Sequence, residues 1–234
     1  MRLDKFLAHA ELGSRKEVKQ MIRKKRVRVN DQIVVKDDFV IDEQHDIVYV
    51  DDMEIYYNQE IYIMLNKPQG YLSATEDSRD PCVVDLIPEV GISKCFPVGR
   101  LDKDSEGLLL ITNNGQLSHR LLSPKHHVVK KYYIEMREPV TEEMIINLCN
   151  GSIILDDKPV KEAAYTPIEA TTGIIEISEG RFHQVKRMME AVGNEVLYLK
   201  RISMGPLQLT DDLKPGEYRP LTEEEITALK IVNK

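Results

Sequence analysis

The chain has little cysteine: Cys82, Cys95 and Cys149 are odd in number, far apart, and form no C-x-x-C pair. That argues against a disulfide framework and against a zinc site, and it fits a reducing compartment. Long apolar runs are missing too, none approaching the roughly 18 residues of a membrane span. Met1 leads straight into Arg2-Leu3-Asp4 instead of an apolar export signal, so a cytoplasmic protein is expected. There is no internal repeat and no low-complexity segment. An excess of positive charge is also lacking. The formal net charge is -7 over 234 residues, which on average counts against a polyanionic partner.

The average conceals a segregation. Residues 1–28 hold ten Lys/Arg against three Asp/Glu, whereas residues 29–60 hold one against ten. Such asymmetry predicts a basic face for a polyanion on an otherwise acidic body. Leu3, Phe6, Leu7 and Ala10 recur at helical spacing up to Gly13. Ser14 with Glu17 forms a capping box for a second helix, with Val18, Met21 and Ile22 as its buried stripe. Val27 and Val29 then alternate with Arg26 and Arg28 as a strand, and Asn30-Asp31 turns the chain toward Ile33-Val34. The candidate RNA-binding residues of this module are Arg2, Lys5, Arg15, Lys16, Lys19, Arg23, Lys24, Lys25, Arg26 and Arg28. A basic face with no partner is the plainer alternative. The acidic stretch from Asp37 to Glu60 reads as the end of this domain and a linker.

A larger domain, 57–234, is expected to follow the small one, 1–56. Ile61-Tyr62-Ile63-Met64-Leu65 reads as a central strand and Asn66-Lys67-Pro68-Gln69-Gly70 as a turn. Residues 71–98 read mostly as loop. Gly99-Arg100-Leu101-Asp102-Lys103-Asp104-Ser105-Glu106 is a charged loop that empties into the apolar strand Gly107-Leu108-Leu109-Leu110-Ile111-Thr112. A carboxylate held on a loop against a rigid strand can carry chemistry, although on these residues alone Asp102 and Asp104 capping a turn is the plainer reading. A helix is expected over 116–122, and strands over 128–136, 153–155, 163–168 and 174–177. Thr141 caps a further helix. His126-His127 has too few ligand-type neighbours for a metal site. A helix is predicted to begin at Arg181, with Val185, Met188, Met189 and Val192 buried, Lys186 flanking that stripe, and His183 and Arg187 pointing away. Thr222 with Glu225 caps the last helix. The fold class is α+β, with a mixed, mainly antiparallel sheet.

Gly99-Arg100-Leu101-Asp102 followed by Ser105-Glu106-Gly107-Leu108-Leu109-Leu110-Ile111-Thr112 resembles the signature of the RluA/RsuA superfamily of pseudouridine synthases. Three more stretches resemble its motifs: Asn66-Lys67-Pro68-x-Gly70-Tyr71, Lys130-x-Tyr132-x-Ile134, and Glu179-Gly180-Arg181-Phe182-His183-Gln184-Val185-Lys186-Arg187-Met188. Lys186 in the last of these, and Pro215 to Glu225, resemble the RsuA branch. The first 55 residues resemble the S4 RNA-binding domain.

The resemblance implies two half-domains meeting at a cleft and an isomerase acting on a uridine of small-subunit (16S) ribosomal RNA. It assigns Asp102 as the catalytic carboxylate, acting by attack on a sugar carbon or by removal of a sugar proton. Lys186 becomes the ion-pair partner that keeps it ionised, and Tyr132 stacks on the uracil and handles the C5 proton. Arg100, Arg181 and Arg187 are candidate RNA contacts. The isomerisation involves no redox change, so neither cofactor nor metal is implied. The expected partner is small-subunit rRNA or an assembly intermediate, met by a monomer. A large-subunit uridine, a non-catalytic RNA-binding assembly factor, and a hydrolase using Asp102 with Asp104 are the alternatives.

Overall fold

A computed structural model of the chain describes residues 1–234 except 11, 43–44, 56–59, 89–94, 124–125 and 233–234. It divides into two compact units, Met1–Gln59 and Glu60–Lys234. The expected 56/57 boundary, Pro124-Lys125 of the histidine loop, and parts of the acidic stretch and of the 71–98 loop lie outside the described residues.

In the first unit, α1 (Leu3–His9) and α2 (Arg15–Arg23) precede β1 (Val27–Val29) and β2 (Gln32–Ile33). The capping box at the start of α2 is formed: the Ser14 amide donates to Glu17 at 2.7 Å, and the Glu17 amide donates back to Ser14 Oγ. The acidic stretch is not merely a linker. It supplies β3 (Val48–Val50) and β4 (Met53–Ile55), which complete an antiparallel sheet in the order β2-β1-β3-β4. Val48 and Val50 go under the sheet because they alternate with Tyr49, and they join Leu3, Leu7, Val18, Ile22, Val27 and Val29 in one apolar core.

The second unit is built on a nine-stranded sheet. Its elements in chain order are β5 (Tyr62–Lys67), a 3₁₀ turn (Val83–Leu86), β6 (Phe96–Pro97), β7 (Glu106–Thr112), α3 (Gly115–Leu122), β8 (Lys130–Met136) and α4 (Glu142–Cys149). Then come β9 (Ile154–Leu155), β10 (Lys158–Pro159), β11 (Ala164–Glu169), β12 (Thr172–Ile177), α5 (Gln184–Ala191), β13 (Val196–Met204), β14 (Leu207–Gln208), β15 (Tyr218–Pro220) and α6 (Glu223–Ile231). The strand order is β11-β12-β8-β13-β7-β5-β15, with β14 on β13 and β6 on β7; β9 and β10 form a separate hairpin. Only β7 and β13 pair parallel among these neighbours, so the sheet is mixed and mainly antiparallel.

Period-2 alternation divides the strands between two cores. Leu65, Leu109, Ile111, Tyr132, Ile134 and Ile175 face one way, onto α4 and α5. Tyr62, Met64, Leu108 and Leu110 face the other, onto α3 and α6. The strand set and the start of α5 depart from the sequence reading. The strands β6, β10, β13, β14 and β15 are not among the expected ones, with β5 running on through Asn66 and Lys67 of the expected turn, and α5 starts at Gln184, leaving Arg181-Phe182-His183 before it. His183 takes the left-handed conformation (φ 48°, ψ 34°), so helical spacing does not set the direction of its side chain.

Candidate active site

The loop between β6 and β7 carries Asp102, and it is held from several directions. Gly99 opens it at φ +77°, and Gly107 closes it at φ +107°. At Gly107 a Cβ would stand 2.2 Å from the carbonyl oxygen of Arg201 on the parallel neighbour β13, so only glycine lets the two strands approach. Leu101 is buried in the core facing α5, and Ser73 Oγ both donates to its carbonyl (2.9 Å) and accepts from its amide (3.0 Å). The Gly70 amide donates to Lys103 O at 2.7 Å.

Lys67 is the firmest of these anchors. It ends β5, is fully buried (0% exposed), and its Nζ donates to Ser105 O (2.8 Å), Asp102 O (3.0 Å) and Pro68 O (3.0 Å). Burial pushes its pKa down to about 8, against the upward pull of Asp104, Asp102 and Glu106. The antiparallel register that sets Lys67 opposite Gly107 brings the loop after β5 and the loop before β7 to the same end of the sheet.

Two side chains reach the Asp102 carboxylate from the start of α5. Lys186 Nζ lies 3.5 Å from Oδ2, and His183 Nε2 lies 3.4 Å from Oδ1. Lys186 also donates to Asp104 Oδ1 at 2.6 Å. Burial works to raise the Asp104 carboxyl, but the Lys186 ammonium outweighs it and holds the pKa below the ordinary value. The Asp104 side chain is 71% exposed and that of Asp102 only 23%, so the same cation acts on Asp102 with less solvent screening.

Tyr132 is 7% exposed and packs in the same core as Leu101 and Val185, the neighbours in sequence of Asp102 and Lys186. Tyr133 lies on the opposite face of β8, where its hydroxyl donates to Glu135 at 3.2 Å and its ring meets the edge of Tyr198. Two cations lie buried nearby. Arg201, cross-strand from Tyr132, is 2% exposed, and its Nε donates to Leu108 O at 2.7 Å. Lys130 donates to Val128 O, and burial, reinforced by Arg201, lowers its pKa to about 8.

The other predicted residues are not all brought together. Arg100 is exposed on the Asp102 loop. Arg181 donates to Leu155 O (2.6 Å), Lys158 O (2.9 Å) and Pro159 O (2.5 Å), and Arg187 pairs with Asp156 (2.7 Å). Both therefore brace the β9–β10 hairpin against the start of α5. In the first unit, Arg2 pairs with Asp4, Lys19 with Asp4 and Asp37, Arg23 with Asp37, Arg26 with Asp51 and Arg28 with Asp31. Lys5, Arg15, Lys16, Lys24 and Lys25 are exposed, with no ion pair among the described residues.

Sequence reasoning does not find His183 or Ser73. Starting the helix at Arg181, three residues too early, projects His183 away from Asp102, and Ser73 lies in a loop with no periodic signal. Among the described residues no group of three or more His, Cys, Asp or Glu could hold a metal ion, and no helix is long and apolar enough to cross a membrane.

Comparison with known proteins places these features in a family. Residues 61–191 match the family described as RNA pseudouridylate synthase, and residues 1–47 match the S4 domain. The chain is 50% identical over 236 residues to the uncharacterized RNA pseudouridine synthase YtzG of Bacillus subtilis (strain 168), covering 98% of each chain. It is 41% identical over 230 residues to ribosomal small subunit pseudouridine synthase A of Escherichia coli (strain K12), covering 98% of this chain and all of that one (100%). A crystal structure of a pseudouridylate synthase superposes with a TM-score of 0.70 at 37% identity, covering 98% of this chain and 99% of that one. With more than half its length matching the family and relatives this similar from end to end, the chain belongs to the RNA pseudouridylate synthase family.

Proposed function

We propose that this protein isomerises a uridine of small-subunit ribosomal RNA to pseudouridine, with Asp102 as the catalytic carboxylate. The observation that carries the reading is the Asp102 carboxylate itself, held between Lys186 and His183 on a loop whose main chain is fixed by Lys67 and Ser73. The reaction breaks the N1–C1′ bond, turns the base and joins C5 to C1′; the proton lost from C5 is balanced by one gained at N1, so the mass of the RNA is unchanged. Asp102 acts beside the sugar, Lys186 is its ion-pair partner, and Tyr132 stacks on the uracil and handles the C5 proton. Taking the uridine out of its stack costs a few kcal/mol. Phosphate contacts from the exposed cations of residues 1–56 and from Arg100 offset that cost, leaving chemistry to residues 57–234. The protein works as a monomer in the cytoplasm, on rRNA or an assembly intermediate.

The test is single-turnover pseudouridine formation on small-subunit rRNA. Asp102→Asn should abolish it without changing RNA affinity, since Asn keeps the shape and loses the charge, while Asp104→Asn should retain it. Appreciable activity in Asp102→Asn overturns the assignment; free uracil among the products would mean hydrolysis, and unmodified RNA with the wild-type protein would mean a scaffold.

A further inference from the structure

Phe182 is 70% exposed and belongs to none of the apolar cores. A lone exposed aromatic is ordinary on a protein surface, but the placement of this one is not. Its ring lies on that of His183 with centroids 3.8 Å apart and planes 17° from parallel. The same imidazole reaches Asp102, with Nε2 3.4 Å from Oδ1. Phe182, His183 and the carboxylate thus form one chain of contacts, ring face on ring face and then ring edge to carboxylate, which leaves the phenyl face turned away from the imidazole exposed.

The backbone under these contacts is fixed. His183 is held in the left-handed region, a conformation that a non-glycine residue adopts only when its surroundings impose it. Arg187 Nη1 donates to Phe182 O at 3.2 Å, and Arg181 on the other side is bound to three carbonyls of the β9–β10 hairpin. An exposed flat ring on an immobilised turn is a preorganised surface for another flat ring. Nucleic-acid bases offer such a face whatever their identity, and a base next to an extruded nucleotide has just lost its stacking partner.

We propose that Phe182 is a base-stacking platform, whose open face takes the nucleobase adjacent to the uridine presented to Asp102. This rests on the functional reading above. Phe182 stacks on the neighbour in the uridine's stead and so favours the extruded state; it is a positioning residue that reaches no reacting atom.

The experiment uses the full-length protein and a small-subunit rRNA fragment containing the uridine that the wild type modifies. Phe182→Ala should raise KM roughly 5- to 150-fold, the span that alanine replacement of a base-stacking aromatic covers, with kcat within a few-fold of wild type. Phe182→Tyr and Phe182→Trp should restore KM, and Phe182→Leu, apolar but without a π-face, should not. An abasic nucleotide on one side of the uridine should weaken the wild type by the same factor and leave Phe182→Ala unaffected, as expected when ring and base interact directly. Rescue by leucine, or equal loss from the abasic substitution in both proteins at either side, overturns the proposal while leaving the synthase reading intact. A wild type that makes no pseudouridine in small-subunit rRNA overturns the functional reading and the platform with it.

Discussion

Replacing Lys67 with methionine should separate stability from activity, because two opposing terms meet at this one buried ammonium. Its three short bonds to Ser105, Asp102 and Pro68 carbonyls are charge-assisted and each worth about 1.5 kcal/mol or more net, so their loss costs roughly 5 kcal/mol. Against this, methionine fills a similar volume and removes a charge whose burial costs several kcal/mol. The two nearly cancel, and the melting temperature should move by only a few degrees. The rate should not be spared. Without its central donor the Asp102 loop is free to shift, and a displacement of about 1 Å at a reacting group costs roughly 10²-fold.

The pH dependence sharpens the same test. The folded pKa of Lys67, about 8, lies below the roughly 10.4 of an unperturbed lysine. Between those values the unfolded chain binds more protons than the folded one, so stability contributed by this group rises with pH across the window. Activity should do the opposite and fall as pH rises through about 8, because a neutral amine has only two N–H groups for three carbonyls. Single-turnover rates and urea unfolding of wild type and Lys67→Met from pH 7 to 10 measure both trends. A Lys67→Met enzyme with the wild-type rate, or one that keeps the same alkaline decline, would refute the idea that this ammonium holds the loop.

Tyr132→Phe should keep RNA affinity while slowing turnover by about 10²- to 10⁴-fold, whereas Tyr133→Phe, on the opposite face of β8, should do little; release of label from C5 distinguishes them, and a larger Tyr133 effect would reverse the assignment. Changing Arg15, Lys16, Lys24 and Lys25 together to Gln should weaken RNA binding and reduce its salt slope by about 0.7–0.9 for each phosphate no longer neutralised. Arg26→Gln alone should do less than its share, since Arg26 is already paired with Asp51; an unchanged slope in the fourfold variant would remove these cations from the RNA interface.

What is legible in the sequence is whatever is decided locally. Ser14 with Glu17 and Thr222 with Glu225 form the capping boxes their spacing announces, and the unbroken apolar run of β7 lies at the centre of a sheet as such runs do. Central strand β13 escapes such a reading because Lys200, Arg201 and Ser203 make it look like surface. In the interior the Nε of Arg201 is met by Leu108 O, far off in the sequence, and no window of sequence contains that partner. The strands of the acidic stretch are hidden in the same way, their three-residue alternation outweighed by the surrounding charge. At the site, Asp102, Tyr132 and Lys186 can be named by resemblance. The left-handed His183, by contrast, depends on where α5 begins, and helix starts are what periodicity determines least well.

The two lysines at the site do different work because they grip the loop by different atoms. Lys67 holds carbonyl oxygens and so fixes where Asp102 stands; Lys186 meets carboxylate oxygens and so sets a positive charge beside them. The second grip is shared, since Lys186 Nζ is closer to Asp104 (2.6 Å) than to Asp102 (3.5 Å). Yet Asp104 is largely exposed, and a pair of that kind is worth at most about 1 kcal/mol. An RNA that displaced Asp104 from Lys186 would therefore lose little, and the freed ammonium would be left to the less exposed carboxylate. The position of Asp102 is thus set by a buried contact that RNA cannot reach, whereas the cation beside it is shared with an exposed carboxylate that RNA can displace.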